Sequence, residues 1–274
     1  MSHDFMPPVP EVPPKKHHEP LLREEYEAVG GKGQYDKGVL SSQLSEWGEF
    51  YDEVRRFRGG GGYVWRGQEQ HGDEWTLKSK FDRQNRAGDR KRRLEQHKEE
   101  FAKAIRGRRG SNPPELSEDD LWALGQHYGL ATPLLDWTES PFVAAYFAFC
   151  GNKAHTKERV VYALNRDIER WYRSNTHEYF IEFPPITSHE NVRFLAQGGV
   201  FTKALEGEDV KTRIQKCYHE KNHANRIILV EILIPDSCRE EGLRDLNWMN
   251  INHASLFPDI YGAAIFCNWK LEVG

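Results

Sequence analysis

The chain has 274 residues, 38 % hydrophobic and 12 % aromatic, which suits one sizeable core and excludes a disordered or fibrous protein. Its four cysteines, Cys150, Cys217, Cys238 and Cys267, form no C-x-x-C pair and exclude a disulfide scaffold or a cysteine-rich zinc site. No apolar run reaches the ~18 residues of a membrane helix and no signal peptide opens the chain, so the expectation is a cytoplasmic protein with no membrane partner. Net charge is −4, but Lys78–Arg109 holds 13 Lys+Arg against 5 Asp+Glu, a segregation that points to an anionic partner for that segment.

In chain order, residues 1–38 read as a flexible tail. "MPPVPEVPPKKHHEP" is proline-rich and nearly free of core residues, and "GGKGQYDKG" continues it. Such a tail could dock a protein partner such as an antitoxin or chaperone. Residues 39–274 then form a single domain. Leu40, Leu44, Trp47, Tyr51 and Val54 repeat at helical spacing, with Ser41 or Ser42 as cap. "GGGG" ends that helix, and the aromatic and β-branched "YVWRGQ" reads as a strand. A basic helical insert at about 78–110 follows, with Leu94, Phe101 and Ile105 on one side. Ser117 caps the next helix, which carries acids in its first turn and stops at Gly129. "PLLDW" reads as a buried strand. "SPFVAAYFAFCG" reads as a central apolar helix with Ser140 as cap, Pro141 at its first position and Gly151 as stop. Later strands are "ERVVYAL", "EYFIEF", "GGVFTKA" and "RIILVEILIP", with helices over Asp209–Lys221 and Ser237–Trp248. "SLFPDIYGAAIFCNW" fits either element. The sum is α+β, without the regular alternation of a doubly wound sheet.

Several polar residues stand where chemistry is possible. Arg66, at a strand end before Gly67, can grip phosphate bidentately while the glycine admits a ligand; an ordinary surface arginine would look the same. Asp136 sits in an apolar strand and needs a partner such as Arg66, His127 or loop N–H groups. Thr138 and Ser140 point the same way in an extended segment, which suits a sugar, although helix capping explains Ser140 by itself. Gln197, before two glycines, can bond a ligand or simply a turn. Glu231 shares a strand face with Leu229 and Leu233 and belongs either to a solvated face or to a site. Cys217, His219 and His223 have local metal-ligand spacing but no distant partner, so no metal is expected. G-x-G-x-x-G and the P-loop motif are absent.

Together "YVWRGQ", "LGQHYGLATPLLDWTESPFVAAYFA", "RFLAQGGVFT" and "SLFPDIYG" resemble the FRG domain family over roughly Tyr63–Gly262. Trp65 stands where the family has Phe or Tyr. A remoter similarity is to arginine-type ADP-ribosyltransferases. It implies an ADP-ribosyltransferase-like split mixed sheet with surrounding helices, and NAD as substrate. By that resemblance Arg66 holds the dinucleotide, with Asp136, Trp137, Ser140 and His127 beside it. Thr138 orders the nicotinamide ribose, and either Gln197 or Glu231 supplies the third catalytic element. Cleaving the nicotinamide–ribose bond builds oxocarbenium character, which a nearby carboxylate or amide favours. The expectation is a toxin-like effector acting on RNA or DNA through Lys78–Arg109, in phage defence or a toxin–antitoxin system. The alternative is a nucleic-acid or nucleotide-binding module without catalysis. A hydrolase on His127 and Asp136 lacks an evident nucleophile.

Overall fold

The structure, a computed structural model, describes residues 20–57, 62–72, 75–84, 87–151, 157–166, 181–187, 192–218 and 225–273. Among these, eight strands form one mixed sheet in the order β1-β2-β8-β5-β3-β4-β7-β6. The strands are β1 Gln34–Asp36, β2 Val39–Gln43, β3 Tyr63–Gln68, β4 Leu134–Thr138, β5 Glu158–Asn165, β6 Ile181–Glu182, β7 Gly199–Ala204 and β8 Leu229–Pro235. The β2–β8 pair is parallel and every other pair is antiparallel. The fold is thus α+β, as the irregular spacing of elements predicts.

Two expectations near the start are corrected. The helix read from Leu40 begins only at α2, Glu49–Arg56. Residues 39–43 instead pair with β8, Leu40 opposite Val230 and Ser42 opposite Ile232, so Ser41 and Ser42 are strand residues and not caps. Long-range pairing with an apolar strand outweighs the local helical spacing. Order also begins earlier than residue 38. Helix α1, Arg23–Ala28, and β1 both pack on the body. The signal is sparse because two tyrosines carry it. Tyr26 is fully buried and donates to Glu53 Oε1 at 2.7 Å, while Tyr35 bonds the Arg226 carbonyl at 3.0 Å. Residues 1–19 of the expected tail lie outside the described residues.

Capping chemistry places most of the longer helices that remain where the sequence puts them; the short helices Lys80–Arg83 and Val192–Ala196 were not foreseen. α3 is Lys80–Arg83 and α4, Arg90–Ala104, is the basic helix, capped by Asp89. α5, Glu118–His127, starts where Ser117 Oγ accepts from Asp120 N. α6, Pro141–Phe149, starts where Ser140 Oγ accepts from Val143 N at 3.3 Å. Nearly all of α6 is buried, and it carries no charge of its own. Its carbonyl end, the negative pole of the helix, is met by two arginines from elsewhere. Arg159, 1 % exposed, donates to the Ala148 and Gly151 carbonyls and pairs with Asp236 at 2.6 Å. Arg239 donates to the Phe149 carbonyl. The chain closes with α7 Val192–Ala196, α8 Val210–Cys217, α9 Arg239–Trp248, α10 His253–Leu256 and α11 Ile260–Val273. The ambiguous C-terminal stretch is therefore helical. Among the described residues, no helix is long and apolar enough to cross a membrane.

The sheet buries both faces. Trp65, Val161, Ala163, Val230 and Ile232 share a cluster with α6. Val64, Val160, Tyr162, Leu164 and Leu229 pack with Leu135, Trp137 and α8 on the other side. One join in the sheet is weak. β3 pairs with β5 along all of Tyr63–Gln68 and β4 pairs with β7 along all of Leu134–Thr138, yet β3 and β4 meet at the single pair Trp65–Thr138. Beyond that point the two strands diverge.

Candidate functional site

The divergence opens a cleft of about 390 Å³, lined by Trp65, Arg66, Gly67, Gln68, Glu69 and Trp75 on one side. Asp136, Trp137, Thr138, Phe147, Cys150, Gln197 and Phe257 complete it. Aromatic walls with a few convergent polar groups are the usual make-up of a small-molecule site.

Arg66 closes the point where the strands part. Its Nη1 donates to the Asp136 carbonyl at 2.7 Å and lies 3.9 Å from the Asp136 carboxylate. Burial holds the guanidinium below its ordinary pKa; Asp136 opposes this and the nearby Arg83 adds to it. A second cation beside a desolvated one favours an anion at this position. Arg83 belongs to α3, in the basic segment, and Lys80 of the same helix donates to the Gly129 carbonyl at 2.9 Å. The positive stretch thus begins beside the cleft.

Five of the expected site residues line this cleft: Arg66, Asp136, Trp137, Thr138 and Gln197. Their roles are partly structural. Thr138 Oγ1 donates to the Gln197 carbonyl at 2.6 Å and accepts from Ser140 N at 3.1 Å. It latches β4 to the turn before β7. Gln197 Nε2 in turn holds the Leu256 carbonyl at 3.1 Å, which fixes Phe257 in the wall. Trp137 Nε1 donates to Thr202 Oγ1 at 2.7 Å. Asp136 differs from expectation. Its side chain is 61 % exposed, because the β4 edge that should cover it faces the parted strands, and Gln126 donates to Oδ1 at 2.6 Å.

Ser140, His127 and Glu231 are not among the lining residues. Ser140 is occupied as the α6 cap. His127 stands edge-on to Tyr128, where burial and Arg193 lower its pKa; α5 offers Gln126 to Asp136 instead. Glu231 shares with Arg66 one row across the sheet, Ser41–Glu231–Tyr162–Arg66. Two strands nevertheless separate it from the cleft, and its carboxylate, 2 % exposed, is engaged by Lys211 Nζ at 2.8 Å and Ser41 Oγ at 2.7 Å. The alternation that set it beside Leu229 and Leu233 was legible; Lys211, on another helix, was not. His219 and His223 lie outside the described residues.

Burial alone would raise the Glu231 carboxyl, but hydrogen bonds from His71, Lys211 and Ser41 outweigh it and bring it to about 2. A depressed carboxylate stabilises the fold fully above its unfolded value, and that stabilisation is lost as pH falls toward the folded value. The loss, of the order of 3 kcal/mol, therefore falls between roughly pH 4.5 and pH 2. Glu231→Gln is expected to be less stable at pH 7 and to flatten the acid limb of a stability–pH curve measured by urea unfolding. An unchanged acid limb would show that the ion pair is not formed.

Gln68, Glu69, Trp75, Phe147 and Phe257 were not foreseen in this cleft. The available signal was strand alternation, which puts Gln68 on the same face as Arg66.

Comparison with curated proteins and with solved structures gave no match to this chain. Residues 61–157, which run from the start of β3 through the basic helix and β4 to the end of α6, match the family model of the FRG domain. This FRG-matching segment carries most of the cleft.

Proposed function

We propose that the cleft at Arg66 binds a nucleotide, and that its ligand is NAD, used as donor of ADP-ribose to a nucleic acid lying along the basic segment. The observation that carries this reading is the parting of β3 and β4, which leaves a desolvated guanidinium among aromatic walls. A rigid fork suits a pyrophosphate, and the aromatic faces suit adenine or nicotinamide. In the reaction, the bond from the nicotinamide nitrogen to ribose C1′ breaks with its electron pair passing to the ring. Neutral nicotinamide leaves. An acceptor oxygen or nitrogen bonds C1′ and releases a proton to water. Within the cleft the group suited to the developing positive charge is the Glu69 carboxylate, whose Oε2 is buried and meets no donor among the described residues. Glu69 thereby joins Gln197 as a contender for the third catalytic element, ahead of Glu231.

A second reading, a nucleotide or nucleic-acid module without chemistry, is favoured by the Thr138 and Ser140 hydroxyls and the Glu231 carboxylate already having protein partners. Labelled NAD with a panel of RNA, DNA and protein acceptors separates the two. Nicotinamide release with an acceptor supports transfer; tight nucleotide binding without release supports the module.

Both readings use the basic segment, Lys78–Arg109, as a phosphate-binding surface. Arg83, Lys91, Arg92, Arg106 and Arg108 are exposed there, whereas Arg90 is tied to Asp82 and Lys98 to Glu118. Changing Lys91, Arg92 and Arg106 together to alanine is expected to weaken single-stranded RNA binding. The slope of log affinity against log salt should become shallower by about 2, since each lost phosphate contact contributes about 0.7. A slope unchanged by the triple substitution would remove the segment from the interface.

A further inference from the structure

The polar groups of the cleft divide into two sets. On the β4 and β7 side every one named above is satisfied within the protein: Thr138 by Gln197 and Ser140, Trp137 by Thr202, the Gln197 amide by Leu256. The end of β3 is the reverse. Gln68 is 4 % exposed, and neither its Nε2 nor its Oε1 meets a partner among the described residues; Arg66 Nε and Glu69 Oε2 are in the same condition. A buried amide with both ends unpaired costs the protein the desolvation of a donor and an acceptor, where an apolar side chain of similar size costs neither. Val160, its neighbour across the β3–β5 pair, is apolar and offers no relief through its side chain. The fold therefore tolerates in the cleft wall, at Gln68 above all, polar groups that a ligand can complete.

We infer that Gln68 reads the ligand, through a planar edge bearing one hydrogen-bond donor and one acceptor side by side. This rests on the nucleotide reading of the cleft. A glutamine amide presents its N–H and C=O in parallel, and its complement is either a primary carboxamide or the adenine N6/N7 edge. Both occur in NAD, one at each end. Gln68 lies two residues along the strand from Arg66 and on its face, so the edge it reads is offset from the phosphate that Arg66 grips. Trp65, Trp75 and Phe147 line the same cleft and offer aromatic faces for the ring that bears the edge.

The test uses the full chain with Gln68→Leu and Gln68→Met, and two probes. AMP carries the adenine edge and nicotinamide mononucleotide the carboxamide edge. Both substitutions remove an unpaired buried amide, so the ligand-free variants should melt at the wild-type temperature or above it. Each should bind one probe at least about tenfold more weakly than wild type and the other unchanged, which identifies the edge; a good bidentate pair gives discrimination of that size. A lower melting temperature in both variants would place the amide in a bond within the protein and overturn the inference. So would wild-type affinity of both variants for both probes; in that case the nucleotide reading itself still stands. Wild-type protein that binds neither probe nor NAD overturns the nucleotide reading, and the inference with it.

Discussion

Gly67→Ala is expected to lose about 3 kcal/mol of stability or more, and to melt roughly 10 °C lower than wild type in a thermal scan. A methyl group on Gly67 would stand 2.6 Å from Ala148 N and closer still to the Ala144 carbonyl oxygen. Both are backbone atoms of α6, so no rotamer change relieves the overlap. The helix cannot slide away cheaply either. Ser140 fixes its start, and Arg159 and Arg239 hold its carbonyl end. Read from the sequence, the glycine beside Arg66 would leave room for a ligand. In the structure the space over it is taken by a helix. Melting within 2 °C of wild type would show that α6 and β3 are not in this contact.

Arg66→Ala is expected to lower nucleotide affinity at least tenfold and to abolish any NAD turnover, with a modest effect on the fold. Among the described residues the guanidinium makes one charged hydrogen bond, to the Asp136 carbonyl, and its net contribution to stability is about 1.5–3 kcal/mol. Arg66→Lys keeps the charge but loses the fork, so it should recover part of the stability and little of the binding. Calorimetric titration of both variants with NAD, beside their melting curves, separates the two roles. Full affinity in the alanine variant would mean that the anion sits elsewhere.

The contrast between these neighbours shows what the sequence could carry. Local chemistry was legible: Ser117, Ser140 with Pro141, and Asp209 each sit where a helix begins, because a cap depends on residues within one turn. Apolar strands such as β5 and β8 were legible for the same reason. What failed depended on distant partners. Leu40 repeats with Leu44 and Trp47 as a helix would, yet its place is set by a strand nearly 190 residues later. Asp136 reads as buried because its neighbours are apolar; its exposure follows from the parting of two strands, which no local pattern encodes. Arg66, Trp137, Thr138 and Gln197 line one cleft in the structure, but which of their polar groups are already bonded within the protein is visible only once the fold is known. Gln68 passed unnoticed because a glutamine in a strand is unremarkable until both ends of its amide prove to be enclosed.

The short β1 strand has a practical consequence. It covers the outer edge of β2, which pairs with β8 on its other side. A fragment cut at residue 38, where composition suggests the folded body begins, would bare the N–H and C=O row of "VLSSQ" and remove Tyr26 from beside Glu53. An uncovered edge of that kind templates pairing between copies, so such a fragment would be prone to aggregate for reasons unrelated to its cleft. Expression fragments of this protein should therefore start upstream of Pro20.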